Sequence, residues 1–184
     1  MRIVGGSHKG TRLAAPRSQA VRPTSDRTRE ALFNILAHGV EDFDMDGVRV
    51  LDLFAGTGAL GLEALSRGAE YCLFIDNAAE PRALIRENIE TLGLTGCTKV
   101  WRRDATLLGD AQKLEPFGLA IADPPYGKGL GERAIRSAIA GGWLMDGAIV
   151  VLEEAAGQEI TEIPGVTLID TRIYGETQIV IYRR

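Results

Sequence analysis

From Val48 onward the chain repeats one pattern: a short aliphatic run, a glycine-marked turn, then a stretch with helical spacing. Val48–Phe54 reads as a buried strand, Ala59–Arg67 as a helix that Gly68 ends, and Tyr71–Ile75 as a second strand. Ala78–Leu92 follows as a helix ended by Gly93, with Ala83, Ile85, Ile89 and Leu92 spaced for burial. Lys99–Arg102 and Leu119–Ala122 are strands, Leu130–Ala140 is a helix before Gly141-Gly142, and Ala148–Leu152 is a fifth strand. Strands alternating with helices call for a parallel sheet covered on both faces. The chain then breaks this rhythm. Val166–Ile173 and Thr177–Tyr182 are joined only by Tyr174-Gly175-Glu176, too short a link for anything but antiparallel pairing. The expected architecture is α/β: a Rossmann-like, seven-stranded sheet, mostly parallel, closed by a C-terminal antiparallel hairpin, with helices on both faces.

A chain of 184 residues, 45% hydrophobic and 25% charged, can bury one substantial core. No apolar run is long enough to span a bilayer and no signal-peptide layout opens the sequence, so a cytoplasmic location and no membrane partner are expected. Two cysteines, Cys72 and Cys97, both in apolar runs read as strand-like, and two histidines, His8 and His38, give little material for a disulfide framework or a metal site. Charge is uneven. Residues 1–36 carry seven Lys/Arg against two acids, or +5, which leaves −9 on the rest of a chain whose net charge is −4. The expected division is therefore a basic N-terminal arm over residues 1–36 and a catalytic domain over 37–184. In the arm, Arg2-Ile3-Val4 and Thr11-Arg12-Leu13 suit a small hairpin. Thr24 or Ser25 suits a helix N-cap, with Leu32, Phe33, Ile35 and Leu36 as the apolar face. Such an arm points to a polyanionic partner.

In open α/β sheets ligands bind beyond the carboxyl ends of the strands. After the first strand stands Asp52-Leu53-Phe54-Ala55-Gly56-Thr57-Gly58-Ala59-Leu60-Gly61, a G-x-G-x-x-G match with Asp76 twenty residues beyond Gly56. That is also the dinucleotide fingerprint, so a nicotinamide-dependent oxidoreductase is one reading. A carboxylate at Asp52 would repel a pyrophosphate, but it suits S-adenosylmethionine, which carries an ammonium and a sulfonium and no phosphate. Asp76 can accept the ribose hydroxyls, and Asp104, at the end of the third strand, the adenine amine. Phe54, Asn77 and Ala105 adjoin these positions and complete the expected cofactor set with Gly56 and Gly58.

After the fourth strand comes Asp123-Pro124-Pro125-Tyr126. The prolines fix their φ angles and remove two backbone donors, leaving a stiff row of acceptors. Accepting both hydrogens of an exocyclic base amine frees its lone pair to attack a methyl group in line. Tyr126 offers a face for an extruded base. These four residues form the candidate catalytic set.

The two strings together resemble the class I methyltransferases that act on exocyclic amines of nucleic-acid bases. The arm narrows this. Arg2–Gly6, Lys9–Leu13 and Arg22–Asn34 are similar, nearly residue for residue, to the start of the bacterial 16S rRNA guanine-N(2) methyltransferases of the RsmD family. The resemblance implies S-adenosylmethionine as cofactor and a guanine of small-subunit ribosomal RNA as target, on the small subunit or an assembly intermediate. A monomer is expected, and Lys9, Arg12, Arg22, Arg27 and Arg29 are cations that can pair with RNA phosphates. Asp76 departs from the Glu common in that family, and either acid can hold a ribose. A DNA adenine-N(6) methyltransferase and a non-catalytic RNA-binding assembly factor remain the alternatives.

Overall fold

The computed structural model describes residues 1–16 and 25–184. Its elements run α1 (Asp26–His38), β1 (Arg49–Leu53), α2 (Ala59–Ser66), β2 (Tyr71–Ile75), α3 (Ala79–Leu92), β3 (Thr98–Trp101), β4 (Phe117–Ala122), α4 (Leu130–Ala140), β5 (Leu144–Ala155), β6 (Thr167–Tyr174) and β7 (Thr177–Arg183). The strands form one seven-stranded sheet in the order β3-β2-β1-β4-β5-β7-β6. Strands β1 to β5 are parallel, β7 is antiparallel to β5, and β6 is antiparallel to β7. The expected architecture is the observed one.

Strand parity divides the core. Val50, Leu119, Ile121 and Val151 face α1, α2 and α3. Leu51, Leu53, Ala120, Val150 and Leu152 face the other side, where Ala134, Ile135 and Ala138 of α4 pack with Trp143. Gly61 lets α2 lie close on the sheet. A Cβ there would stand 2.5 Å from the Phe74 ring and 2.6 Å from the Cys72 sulfur.

Three local expectations change. Ala83 is exposed, and the buried stripe of α3 is Ile85, Asn88, Ile89 and Leu92. Cys97 closes a short 3-10 turn, Thr95–Cys97, instead of sitting in a strand. Strand β5 runs well beyond Ala148–Leu152, because β7 pairs along it as far as Ala155↔Thr177. This extension carries Glu153 and Glu154 past the end of β4, whose last partner is Ala122↔Leu152.

The arm folds back as an antiparallel bridge, Arg2↔Arg12, with Ile3 N–H donating to Thr11 O at 2.9 Å. Ile3 and Leu13 are buried in the same cluster as Val50. Gly6, at φ 74°, seats the bridge on the end of α2: Ser7 N–H donates to Ser66 O at 2.7 Å, and a Cβ on Gly6 would lie 1.7 Å from that oxygen. Helix α1 starts with Ser25 as N-cap, its hydroxyl accepting from Thr28 N–H at 3.0 Å. The division expected after residue 36 falls inside α1. The other proposed cap, Thr24, lies outside the described residues, as does Arg22. No helix among the described residues is long and apolar enough to cross a membrane.

Candidate active site

The sheet order reverses between β1 and β4, and a cleft of about 400 Å³ opens beyond the carboxyl ends of the strands there. One wall is the turn after β1, where Phe54, Gly56 and Gly58 all take positive φ, at 58°, 57° and 77°. Such a conformation is unusual for a bulky residue such as Phe54. Asp76, at the end of β2, fixes this turn. Its Oδ2 accepts from Gly56 N–H at 3.1 Å and its Oδ1 from Ala78 N–H at 2.9 Å. Asp104, after β3, caps a short 3-10 turn and accepts from the Thr106 hydroxyl at 2.7 Å and the Thr106 N–H at 2.8 Å. Those two bonds hold its carboxyl below the usual range. Phe54, Gly56, Asp76, Asn77, Asp104 and Ala105 all line the cleft, together with Ile75, Pro81 and Arg103.

Two expected cofactor residues are elsewhere. Asp52 points to the α2 side of the sheet, where its Oδ2 accepts from Gly61 N–H at 2.9 Å. It is buried and does not line the cleft. Burial pushes its carboxyl up to about 8, and its place behind the turn leaves it no contact with the cleft on which the charge argument was built. Gly58 also lies off the cleft wall and serves as the left-handed N-cap of α2. Both residues shape the turn from behind.

The opposite wall is Asp123, Pro124, Pro125 and Tyr126. Asp123 N–H reaches back to Leu53 O at 3.4 Å, which holds the two strand ends side by side. Extended β5 secures the rest. The Tyr126 hydroxyl donates to Glu153 Oε1 at 2.7 Å, and Gly127 N–H donates to Glu154 Oε1 at 2.9 Å. Burial pushes the Tyr126 hydroxyl pKa up, and the Glu153 carboxylate adds to this, so the phenol stays a donor. The residue keeps 37% of its surface exposed, enough for a ring face to meet a base. The two glutamates were not expected from the sequence, because Glu-Glu after an apolar run reads as a strand leaving the core.

The arm's cations divide. Lys9, Arg12 and Arg27 are exposed. Arg29 departs from its expected RNA role: it is fully buried. Its guanidinium donates to Arg2 O, pairs with Asp26 at 2.9 Å and lies 3.5 Å from Glu63. Glu63, also fully buried, takes Arg67 at 2.8 Å and Val4 N–H at 2.9 Å. This buried cluster ties the arm, α1 and α2 together. Helical spacing held the missed signal, since Arg29 shares a stripe with Leu32, Phe33 and Leu36.

The sheet order with β7 antiparallel beside β5, and the cleft at the switch point, define a class I methyltransferase fold. Residues 1–183 match the model of the family described as Conserved hypothetical protein 95, and the chain belongs to that family. Among its relatives is the ribosomal RNA small subunit methyltransferase D of Escherichia coli (strain K12), 35% identical over 185 residues, covering 100% of this chain and 90% of the relative. The protein of the same name from Haemophilus influenzae is 30% identical over 185 residues, covering 100% and 92%. The solved structure of Escherichia coli yhhF superposes with a TM-score of 0.84 at 33% identity, covering 100% of this chain and 97% of that one.

Proposed function

We propose that this protein transfers a methyl group from S-adenosylmethionine to the exocyclic N(2) amine of a guanine in small-subunit ribosomal RNA. The observation that carries the reading is one shared cleft: the acceptor string Asp123–Tyr126 faces the wall formed by Gly56, Asp76 and Asp104. The donor half fits an adenosyl-and-methionine ligand. Asp76 and Asp104 can accept hydroxyl or amine protons there, and Gly56 leaves room for close approach of the backbone. When bound, S-adenosylmethionine supplies an electrophilic methyl group. Asp123 and the carbonyls beside the prolines accept from the amine and orient its lone pair, and Tyr126 stacks the base. With the donor bound, the N–CH₃ bond would form as the S–CH₃ bond breaks, leaving a neutral thioether, and the amine's proton would pass to water or to Asp123. The relatives' names support the choice of ribosomal RNA, and the arm's exposed Lys9, Arg12 and Arg27 suit phosphates.

The test is transfer of labelled methyl to small ribosomal subunits from a strain lacking this gene, with naked 16S rRNA and duplex DNA alongside. N(2)-methylguanine at one position is the expected product. Label in DNA adenine, or none anywhere, overturns the substrate.

A further inference from the structure

A second cleft, of about 440 Å³, adjoins the first at Tyr126. That volume falls in the range of small-ligand sites, about 300–1,000 Å³. Tyr126 lines both clefts, so one ring is a wall of each. The second is built by parts of the chain to which the donor cleft gives no role: the start of α1 and the β6–β7 turn. Its two ends differ in chemistry. At the α1 end stand the exposed guanidinium of Arg27 and the hydroxyls of Ser25 and Thr28. The carboxylates of Glu176, in the turn, and of Glu153, which accepts from the Tyr126 hydroxyl, line it as well. Ile173, also in the lining and 60% exposed, adds an apolar surface that the folded chain leaves to solvent.

We propose that this cleft seats the acceptor nucleotide. The inference rests on the methyl-transfer reading above and adds the site that binds the substrate. A nucleotide has the same asymmetry as the cleft. Its phosphate requires cations and hydroxyls, its base a flat apolar contact, and a guanine edge presents N–H donors to acceptors such as carboxylates. The phosphate therefore lies toward Arg27, the base runs along Ile173 and Tyr126, and its donor-rich edge, which carries the exocyclic amine, points past Tyr126 into the first cleft. A base held on Tyr126 in this way has its exocyclic amine beside Asp123. The start of α1 and the C-terminal hairpin then select the nucleotide, while β1, β2 and β3 hold the methyl donor.

The test uses the full chain with small ribosomal subunits from the deletion strain. Arg27→Ala is expected to raise KM for subunits about tenfold and to lower the salt slope of RNA affinity by about one. Arg27→Lys should recover the slope, and Ile173→Ser should raise KM severalfold with the slope unchanged. Both residues are exposed, so cofactor affinity should hold in every variant. An unchanged KM in both variants, or an equal loss of cofactor affinity, overturns the proposal. Ultraviolet crosslinking of 16S rRNA to the wild-type chain, mapped by mass spectrometry, separates this from the activity itself. Crosslinks at residues 173–177 without any methyl transfer would remove the methylation reading and keep an RNA site here. Crosslinks confined to other surfaces would remove the site, whatever the transfer result.

Discussion

The two walls of the donor cleft are held rigid by different means. The Gly56–Asp76 wall is organised by its own backbone: successive strand ends donate N–H groups to carboxylates a few residues away or on the next strand. The Asp123–Tyr126 wall is organised by side chains from the extended end of β5, Glu153 and Glu154, which reach across to a hydroxyl and an N–H. The first arrangement tolerates change in distant sequence. The second depends on two buried carboxylates more than twenty-five residues away along the chain. Damage to each wall should therefore separate binding of the donor from transfer.

The sharpest break is Asp123→Ala. Transfer should fall by about a thousandfold, in the range seen when one preorganised transition-state contact is removed. The affinity for S-adenosylhomocysteine should change less than threefold, since the Asp76 wall is untouched. Calorimetry beside single-turnover transfer measures both. Undiminished turnover would remove Asp123 from the chemistry.

A smaller effect tests the side-chain bracing. Glu153→Ala should lower kcat about tenfold while leaving cofactor affinity in place, because a freed Tyr126 holds the base less well. Tyr126→Phe removes the same hydrogen bond but keeps the ring, and should lose less than Tyr126→Ala. If Phe and Ala variants fall equally, the hydroxyl bond carries the effect and stacking does not.

The parallel sheet, the C-terminal hairpin and most of the residues at the cleft were legible in the sequence because each rests on local pattern: alternating elements, a three-residue link, acids at strand ends. What was not legible has a physical reason in each case. Asp52 sits between Leu51 and Leu53 on a strand covered on both faces, and there an apolar run carries no information on parity. Glu153 and Glu154 find their partners in Tyr126 and Gly127, in the turn after β4 and distant in sequence. Arg29 and Asn88, by contrast, stood in plain view at the stripe positions of α1 and α3, where a polar residue among apolar ones signals a buried partner.

Asn88 brings the arm into the comparison. It is fully buried, accepts from Ala14 N–H at 2.7 Å, and donates to Ala14 O at 3.3 Å and Thr57 O at 3.0 Å. One amide thus ties the arm to the cofactor turn. Asn88→Ala leaves three backbone groups without this partner and should lower Tm by on the order of 5 °C. Limited proteolysis of the arm should accelerate, and cofactor affinity should weaken severalfold. A lower Tm with unchanged cofactor affinity would confine Asn88 to structure.

The smallest effect on turnover is expected at Asp52, and its signature is pH. The folded carboxyl titrates near 8 against 3.8 as the ordinary value. The folded state therefore binds the extra proton between those values, and stability falls as pH rises through that window. The contribution is complete below about pH 4 and gone above about pH 8. Asp52→Asn keeps an oxygen to accept from Gly61 N–H and removes the ionisation. Its Tm relative to the parent should rise from pH 5 to pH 8 and level off beyond, by on the order of 10 °C in all. A difference that stays flat across this range would mean that Asp52 is charged in the folded protein.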